Sequence, residues 1–205
     1  MNAALVISAS AGVALWLMQR QITNEATNNS DEGFFTDLQD AAGTLEGYFM
    51  NADDFTFDAN VRAFLMLIRY GESSLSQSAY TTLYGGGQFA DLSDHPRQYF
   101  TVADGRRTSA AGAYQIVAST WDDLQRSGAN LIDFSPPEQD RAAVMLIKRR
   151  GALSDVTAGR FDAAIRKCRN EWTSLPGARE SRYTMATANG LLASYGANFA
   201  EGATA

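Results

Sequence analysis

The chain has 205 residues, of which 45% are hydrophobic, and its formal net charge at pH 7 is −6. This length allows one hydrophobic core and an appendage, and the excess of acidic residues excludes a protein that binds nucleic acid by neutralising phosphates. One cysteine excludes an intramolecular disulfide, and one cysteine with one histidine excludes metal sites of the CxxC or HExxH type.

The N-terminal segment is mostly apolar. Residues 3–18 form an uncharged run that is short for a membrane-spanning helix, which needs about 17–25 residues. A signal peptide has basic residues before its apolar run, but no basic residue precedes this run, and the first one in the chain is Arg20. We therefore predict that residues 1–20 form a hydrophobic helix that anchors the protein to a membrane. A signal peptide, a buried core helix and a hydrophobic arm within an assembly are the alternatives.

Residues 21–59 are predicted to be a linker followed by an amphipathic helix. The polar stretch TNEATNNSDEG at 23–33 has no apolar face. Apolar side chains then recur at helical spacing within 34–49: Phe34, Leu38, Ala41, Leu45, Tyr48 and Phe49. We expect this helix to pack on the main domain, since its acidic polar positions disfavour a membrane-surface helix.

Residues 60–205 are predicted to be a predominantly helical α+β domain. The first helix follows from apolar residues spaced i, i+3, i+4 and i+7: Val61, Phe64, Leu65 and Ile68. Gly71 is its expected left-handed cap, so that Glu72 lies just beyond the helix end. Residues 73–110 are rich in Gly, Ser, Thr, Asp and Tyr, which predicts loops and short strands, with TTLYGGGQF at 81–89 as the hairpin candidate.

Four further helices are predicted after residue 110. STWDDLQ begins one of them with Ser119 as its N-cap. SPPEQDRAAVMLIKRRG at 135–151 forms the next, with Ser135 as N-cap and Glu138 completing a capping box. Two apolar stripes predict the other two helices: Phe161, Ile165, Cys168 and Trp172 before the stop signal LPG at 175–177, and Tyr183, Ala186, Leu191 and Tyr195.

Glu72, in the stretch IRYGESS, is the candidate general acid. A carboxyl at the C-terminal end of a helix faces the partial negative charge of unpaired carbonyl groups, and burial acts in the same direction. Both effects raise the pKa of the carboxyl toward the range that acid catalysis near neutral pH needs. A solvated loop residue is the alternative, and position alone favours that alternative.

Four stretches follow YGES along the chain: GGGQFADLSDHPRQ at 85–98, TSAAGAYQI at 108–116, DFSPPEQDRAAVMLIKRRGAL at 133–153 and CRNEWTSLPGA at 168–178. Together they resemble the family of the phage lambda endolysin over residues 60–178, and more loosely to about residue 200. The resemblance implies a lysozyme-like domain with a small β hairpin region and the activity of a lytic transglycosylase, which cuts peptidoglycan. Residues 1–59 have no counterpart in this family.

The resemblance implies roles for five residues. Glu72 matches the catalytic glutamate of the family. Tyr114 and Gln115 match a Tyr-Gln pair that lines the glycan groove. Gly112 matches the glycine that lets the sugar approach the backbone, and Tyr80 falls where the family has an aromatic residue near the cleft.

The chain departs from the family at two places. The segment between Glu72 and Tyr80 is shorter, which changes the upper lip of the groove, and Thr81 stands where the lambda member has an aspartate. A glycoside hydrolase needs two carboxylates, whereas a lytic transglycosylase needs one, because the same glutamate protonates the glycosidic oxygen and then deprotonates the attacking C6 hydroxyl. We therefore expect a transglycosylase. Asp91 and Asp94 are the partners for a hydrolytic variant, although their positions around DLSDHP are typical of turn caps.

The other conspicuous residues are interpreted as structural. His95 is expected to anchor a loop by a hydrogen bond, since no nucleophile is signalled beside it. Cys168 lies on an apolar stripe and is expected to be a buried thiol. Trp121 and Trp172 are expected in the core rather than on a sugar-binding surface.

The expected partner is bacterial peptidoglycan, and no metal, cofactor or nucleotide is required. With a membrane anchor at residues 3–18, two settings are open. The enzyme is either a membrane-associated signal-anchor endolysin that lyses the host from the periplasm, or a virion component that contacts other virion proteins and opens the wall during genome entry. A non-catalytic wall-binding or structural virion protein that kept the fold is a further hypothesis.

Overall fold

Helices make up most of the computed structural model, which describes residues 58–181 and 183–202. In chain order its elements are α1 (Ala59–Glu72), a 3-10 helix (Gln77–Thr81), β1 (Phe100–Thr101), β2 (Arg107–Thr108), α2 (Ala118–Arg126), α3 (Pro136–Arg149), α4 (Leu153–Thr157), α5 (Phe161–Cys168) and α6 (Met185–Ser194). The predicted helical α+β composition is therefore confirmed for the described part of the chain.

The described residues belong to one compact unit that begins at Asp58. The predicted hydrophobic segment at 1–20, and the linker and amphipathic helix as far as residue 57, lie outside the described residues. None of the helices that the structure does describe combines the length and apolar character that a membrane crossing requires.

Helix α1 is the central element of the core. It packs against α3, α4 and α6, and the side chains of Val61, Phe64, Leu67 and Ile68 are fully buried. A second part of the core surrounds Phe134, whose ring meets the Trp121 ring edge-on at 4.8 Å. Burying each large apolar side chain contributes about 1.5–3 kcal/mol, so these buried positions stabilise the folded domain.

The two ends of α1 are held differently. At its start, the Asp58 carboxylate accepts hydrogen bonds from the backbone N–H groups of Asn60 (2.8 Å) and Val61 (3.0 Å). At its end, the helix continues through Gly71 to Glu72, and Gly71 does not adopt a positive φ. The prediction that Gly71 caps the helix was therefore wrong, and Glu72 belongs to the last helical turn.

The predicted hairpin at 81–89 forms a turn rather than a ladder. Gly85 and Gly86 adopt φ of 84° and 93°, as a tight turn requires, but only a single bridge, between Thr82 and Gln88, joins its two sides. The two-stranded antiparallel sheet lies further along the chain, where β1 pairs with β2.

The predicted N-caps also differ from those observed. Helix α2 begins two residues earlier than expected, and its N-cap residue is Val117 rather than Ser119. Ser135 occupies the N-cap position of α3, but its side chain makes no capping bond. Its backbone N–H donates instead to the Asp133 carboxylate at 2.8 Å, and Glu138 forms an ion pair within the helix. The capping box is thus replaced by a turn that Asp133 stabilises.

Candidate active site

A cleft of about 1040 Å³ lies beside the C-terminal end of α1. Its walls include the end of α1, the hairpin that joins β1 to β2, and residues between α5 and α6 such as Glu171, Ser174 and Tyr183. Three stretches that are far apart in the sequence therefore meet at this one concave surface, which is the usual arrangement of a site for an extended ligand.

Glu72 faces this cleft from the last turn of α1. Its Oε1 atom accepts a hydrogen bond from the Ser174 hydroxyl at 2.7 Å and a longer one from the Ser174 backbone N–H at 3.4 Å. No residue in the described ranges hydrogen-bonds Oε2. Ser174 therefore fixes one oxygen of the carboxyl and leaves the other unbonded within the described ranges.

The surroundings of Glu72 favour its protonated form. Burial raises the pKa of the Glu72 carboxyl above its ordinary value, and the negative charge of Glu180 acts in the same direction. The two hydrogen bonds from Ser174 lower this pKa, but the effect of burial is the larger one. The carboxyl is thus suited to deliver a proton, and Ser174 is placed to stabilise the carboxylate that remains.

Gly71 allows Ser174 to reach Glu72. A Cβ atom at position 71 would lie 2.7 Å from the Ser174 Cβ atom, which is closer than side chains pack, and would clash with its hydroxyl as well. The residue before the candidate acid therefore has to be a glycine in this arrangement, even though glycine weakens a helix.

Tyr80 and Tyr114, which were predicted to contact the glycan, lie beneath the cleft and do not line it. Only 2% of Tyr114 is exposed, and 5% of Tyr80. Their hydroxyls both donate to Oδ1 of Asp140, at 2.6 Å from Tyr114 and 2.8 Å from Tyr80. The Arg69 guanidinium donates to the Tyr80 hydroxyl at 3.0 Å. This buried network satisfies the polar groups of both tyrosines within the protein.

Packing within the protein also explains why residue 112 is a glycine. It adopts a φ of 76°, and a Cβ atom there would lie 2.8 Å from Cδ of Gln139. The Gln139 amide is fully buried, accepts from the backbone N–H of Ala113 (2.9 Å) and donates to the carbonyls of Tyr80 (2.9 Å) and Phe134 (2.7 Å). The sequence analysis missed Gln139, which ties α3 to the floor of the cleft.

Gln115 does line the cleft, as predicted. It adopts a positive φ of 47°, and its amide nitrogen donates to the carbonyl oxygens of Gly112 (2.9 Å) and Thr82 (3.3 Å). A backbone conformation that is unfavourable for a side-chain-bearing residue is thus held by two hydrogen bonds. Of the five predicted site residues, the structure brings Glu72 and Gln115 together at the cleft.

Several cleft residues were not predicted. Tyr70 and Tyr84 expose about half of their surface there, at 48% and 41%. Tyr70 is the first residue of the YGES stretch, and Tyr84 precedes the glycines of the 81–89 turn. Each tyrosine therefore lies in a segment that the sequence analysis had singled out. Exposed tyrosine rings of this kind are suited to stack on sugars, because they combine an apolar face with a polar edge.

Three further carboxylates line the cleft: Asp104, Glu171 and Glu180. Two of them are engaged by arginines. Glu171 pairs with Arg150 at 2.6 Å, and Asp104 pairs with Arg106 at 2.7 Å. Glu180 has no ion pair within the part of the chain that the structure describes.

Asp91 and Asp94 do not line the cleft. Asp91 accepts a hydrogen bond from the Ser93 backbone N–H at 2.9 Å. Asp94 pairs with Arg97 at 2.9 Å and accepts from Nε1 of Trp121 at 3.0 Å. The contact with Ser93 confirms the interpretation of Asp91 as a turn cap, whereas Asp94 bonds side chains instead, and neither residue lies at the cleft as a partner for Glu72.

The structure also confirms the structural interpretation of four residues: His95, Cys168, Trp121 and Trp172. The buried His95 ring bonds the Ile116 carbonyl at 2.9 Å, and Cys168, Trp121 and Trp172 are all buried. Within residues 58–181 and 183–202, no cluster of His, Cys, Asp and Glu side chains is arranged to hold a metal ion.

The endolysin family model matches residues 62–201, a range that contains every residue of the cleft. The chain belongs to the endolysin family. It is 38% identical to the endolysin of Escherichia phage lambda over 123 residues, which are 57% of this chain and 77% of that protein. It is 46% identical to the endolysin of Escherichia phage P2 over 95 residues, which are 44% of this chain and 57% of that protein.

Two solved structures share the fold of this endolysin family member. Bacteriophage lambda lysozyme complexed with a chitohexasaccharide superposes with a TM-score of 0.63 and 32% identity, covering 70% of this chain and 97% of the other. Lysozyme from bacteriophage lambda superposes with a TM-score of 0.60 and 31% identity over the same shares. The predicted lysozyme-like fold is therefore confirmed.

Proposed function

We propose that this protein is a peptidoglycan lytic transglycosylase that cleaves the β-1,4 bond between MurNAc and GlcNAc with Glu72 as both acid and base. Membership of the endolysin family supports peptidoglycan as the substrate. The observation that carries the proposal is the state of Glu72, a carboxyl whose pKa is raised by burial and whose Oε2 atom no described residue occupies.

Glu72 acts in two steps of this reaction. Its proton passes to the glycosidic oxygen, the bond from that oxygen to C1 of MurNAc breaks, and the GlcNAc end leaves as an alcohol. The C6 hydroxyl of the same MurNAc then attacks C1, and the Glu72 carboxylate takes the proton of that hydroxyl as the 1,6-anhydro ring closes. The carboxyl is restored, no water is consumed, and the attacking group has a high effective concentration because it belongs to the same sugar.

Ser174 stabilises the charged state between these two steps. Its hydroxyl and backbone N–H both point at Oε1, so both hydrogen bonds strengthen when the carboxyl loses its proton. The bonds also fix the orientation of the carboxyl, and Oε2 has no hydrogen-bond partner among the described residues. Orientation of this kind is a main source of catalytic rate.

We infer that the cleft takes an N-acetylated glycan strand. The related lambda lysozyme is known as a complex with a chitohexasaccharide, a chain of N-acetylated sugars. Tyr70 and Tyr84 offer exposed rings for stacking, and Gln115, whose amide N–H groups already bond backbone carbonyls, offers its amide oxygen. The predicted roles of Tyr80, Gly112 and Tyr114 become indirect in this proposal, because these residues support the floor from beneath.

A hydrolytic muramidase is the second candidate, and Glu180 is the observation that favours it. This carboxylate lines the cleft, acts on the pKa of Glu72 and has no ion pair within the described residues, unlike Glu171 and Asp104. A second carboxylate facing the first is what retaining and inverting glycosidases require. Glu180 would then activate a water molecule or attack the sugar, whereas the transglycosylase needs no such group.

The biological setting that we propose is action on the host cell wall, as the family name implies for its members. A membrane anchor at residues 3–18, in a signal-anchor endolysin or a virion component, stays a prediction, since that segment lies outside the described residues. Recovery of the protein from purified phage particles, or its absence there, would separate the two settings.

Mass spectrometry of the muropeptides released from purified peptidoglycan tests the proposal. The full chain should release fragments with 1,6-anhydro-MurNAc ends, lighter by one water than hydrolytic fragments. Reducing MurNAc ends would identify a muramidase and direct attention to Glu180.

Glu72→Gln keeps the shape of the side chain but has no acidic proton to give, so it should lower the rate by about 10² to 10⁴ while glycan binding remains. Full activity of this variant would refute the role of Glu72, and a wild-type chain that binds the wall without cutting it would be a structural protein.

A further inference from the structure

Arginines line the cleft on two of its walls. Arg106 and Arg107 belong to the hairpin that β1 and β2 form, and Arg179 belongs to the segment between α5 and α6. The guanidinium of Arg107 lies 4.7 Å from the ring of Tyr99, a residue that does not line the cleft. A direct contact with a ligand therefore falls to the other two arginines.

Arg179 extends its guanidinium toward the hairpin wall. Its Nη2 atom lies 3.8 Å from Oδ2 of Asp104, which is in the turn between β1 and β2. This separation is too long for a hydrogen bond, and no residue in the described ranges accepts one from the Arg179 guanidinium. The side chain is 69% exposed. The N–H donors of this guanidinium are thus open to a ligand in the cleft.

Asp104 is shared between two arginines and satisfies one of them. Its Oδ2 atom accepts a 2.7 Å hydrogen bond from Nε of Arg106, whereas Arg179 faces the same oxygen only at the longer distance. Ion pairs between exposed side chains contribute little to stability, so this loose contact does not explain an arginine at position 179. A second carboxylate, supplied by a ligand, would give Arg179 the partner that Asp104 does not.

The other charges of the cleft allow an anionic group there. Glu171 pairs with Arg149 and Arg150, which do not line the cleft, and Glu72 carries no charge in its acid form. Two carboxylates then remain against the three arginines of the cleft: Asp104 and Glu180. The excess of positive charge is local, because the chain as a whole has a formal net charge of −6. A negatively charged ligand is therefore attracted to this wall.

The arginines stand close to the candidate acid. The carboxylate of Glu180 acts electrostatically both on Glu72 and on Arg106, so these two side chains flank it in the cleft. A sugar bound against Glu72 would carry its substituents past the arginine wall. In a wall strand, MurNAc bears a short peptide on its lactyl group, and the carboxylates of that peptide are the anionic groups nearest to the scissile bond.

We propose that Arg179, with Arg106 beside it, binds a carboxylate of the peptide carried by the MurNAc that lies against Glu72. A guanidinium suits this role, because its planar fork donates two parallel hydrogen bonds to a carboxylate. The inference rests on the proposed function, since it takes peptidoglycan to be the ligand of the cleft. It adds a specificity: the enzyme prefers strands that carry peptides over bare glycan.

Calorimetric titration with three glycans tests this preference. The first is a wall tetrasaccharide with its peptides, the second is the same tetrasaccharide after an amidase has removed them, which leaves the lactyl carboxylate, and the third is a chitohexasaccharide, which has no carboxylate. The parent is the full chain carrying Glu72→Gln, so that no ligand is consumed. Adding Arg179→Gln should weaken binding of the first glycan about tenfold and leave that of the third unchanged.

Arg166→Gln is the matched control. Arg166 lies on α5, is 59% exposed and stands 3.9 Å from Asp162, so its surroundings resemble those of Arg179, but it does not line the cleft. Its replacement should leave the affinity for all three glycans unchanged.

Asp104→Asn distinguishes a binding site from a structural bridge between the two walls. Asparagine keeps an oxygen for the backbone N–H of Arg106, which donates to Oδ1 at 3.1 Å, but it lacks the competing negative charge. The variant should therefore bind the peptide-bearing glycan about twofold to fivefold more tightly, the opposite of Arg179→Gln. A bridge would be broken by either substitution, and both variants would then bind more weakly.

The outcomes separate this inference from the proposed function. If Arg179→Gln binds the peptide-bearing glycan as the parent does, or weakens all three glycans equally, the inference is refuted and the proposed function stands. A tenfold loss on the amidase-treated glycan as well would assign the contact to the lactyl carboxylate and overturn the proposal for the peptide. If the parent binds none of the three, the proposed substrate fails and the inference fails with it.

Discussion

The Ser174 hydroxyl donates a 2.7 Å hydrogen bond to Oε1 of Glu72, although 102 residues separate them in the sequence. Glu72 ends the first helix of the domain, whereas Ser174 lies in the segment after α5. The protonation of the candidate acid therefore depends on a loop from the other end of the domain. A loop that shifted would change both the direction of the carboxyl and its pKa.

Ser174→Ala should slow the reaction and move its pH dependence. The Ser174 hydroxyl lowers the pKa of Glu72, so its loss raises that pKa further. A general acid works while it is protonated, and the alkaline limb of the pH profile should therefore move to higher pH. A hydrogen bond to a charged group contributes about 1.5–3 kcal/mol, so kcat should fall about tenfold or more. Steady-state rates on purified peptidoglycan across a pH series measure both effects.

The control for this change is Ser194→Ala, which removes an exposed hydroxyl whose partner in the described part of the chain is the Leu191 carbonyl within α6. Its pH profile should match that of the wild type. An unchanged profile for Ser174→Ala would contradict the coupling between Ser174 and Glu72.

Gly71→Ala should destabilise the protein, against the usual effect of this substitution in a helix. Alanine is favoured over glycine inside helices by about 0.5–1 kcal/mol. At position 71 the new Cβ atom would lie 2.7 Å from the Ser174 Cβ atom, and the resulting shift should cost about 1–3 kcal/mol and displace Ser174 from Glu72. Chemical denaturation gives the free energy of unfolding, and a wall-lysis assay gives the activity.

Gly190→Ala provides the matched control for this prediction. Gly190 lies inside α6, and nothing stands within 4 Å of a Cβ atom built there. The free energy of unfolding of this variant should rise by about 0.5–1 kcal/mol, and its activity should stay the same. Equal gains at both positions would mean that the close approach of Ser174 to Gly71 does not constrain the helix.

Asp140→Ala should cost about 2–4 kcal/mol of folding free energy, because it leaves the hydroxyls of Tyr80 and Tyr114 buried without an acceptor. Asp140→Asn should cost far less at neutral pH, since both hydroxyls bond the same Oδ1 atom and an amide oxygen accepts equally well. Urea unfolding of the three proteins provides the comparison. Similar losses for both variants would show that the negative charge, and not the acceptor, stabilises the network.

The stability of the wild type and that of Asp140→Asn should depend differently on pH. Burial raises the pKa of Asp140 above its ordinary value of 3.8. The folded state therefore binds the proton of the Asp140 carboxyl more firmly than the unfolded state does. The contribution of this proton to the free energy of unfolding is lost as pH rises from 3.8 through the higher pKa of the folded state. Asp140→Asn lacks this loss, so its stability relative to the wild type should improve between pH 3.8 and neutral pH. A difference that is constant over this range would contradict the raised pKa.

The periodicity of apolar residues was sufficient to predict most of the helices. Val61, Phe64 and Ile68 are fully buried along α1, and the stripe from Phe161 to Cys168 is buried along α5. Burial of one face is a property of each segment's own sequence, so a single chain suffices to predict it. The position of Glu72 at a helix end followed from the same local pattern, with an error of one residue.

The contacts that form the site were not predictable in the same way. Gly71 and Gly112 are required by Ser174 and Gln139, which lie far away in the sequence, and neither partner stands out by composition. Tyr114 occupies the position that the family motif marks, but whether a ring faces a groove or supports it from beneath depends on packing with Asp140. Such relationships appear only when distant segments are brought together in the fold.

Tyr84→Ala should weaken glycan binding about fivefold to tenfold with little change in stability, because its ring is 41% exposed and lines the cleft. Tyr99→Ala is the control: Tyr99 is 54% exposed but does not line the cleft, and its ring contacts the Arg107 guanidinium instead. Titration of both variants with a chitohexasaccharide, in the Glu72→Gln chain, measures the difference. Equal affinities would mean that the tyrosine beside the glycine turn does not contact the sugar, whereas selective weakening by Tyr84→Ala would extend the binding surface from Glu72 to the 81–89 turn.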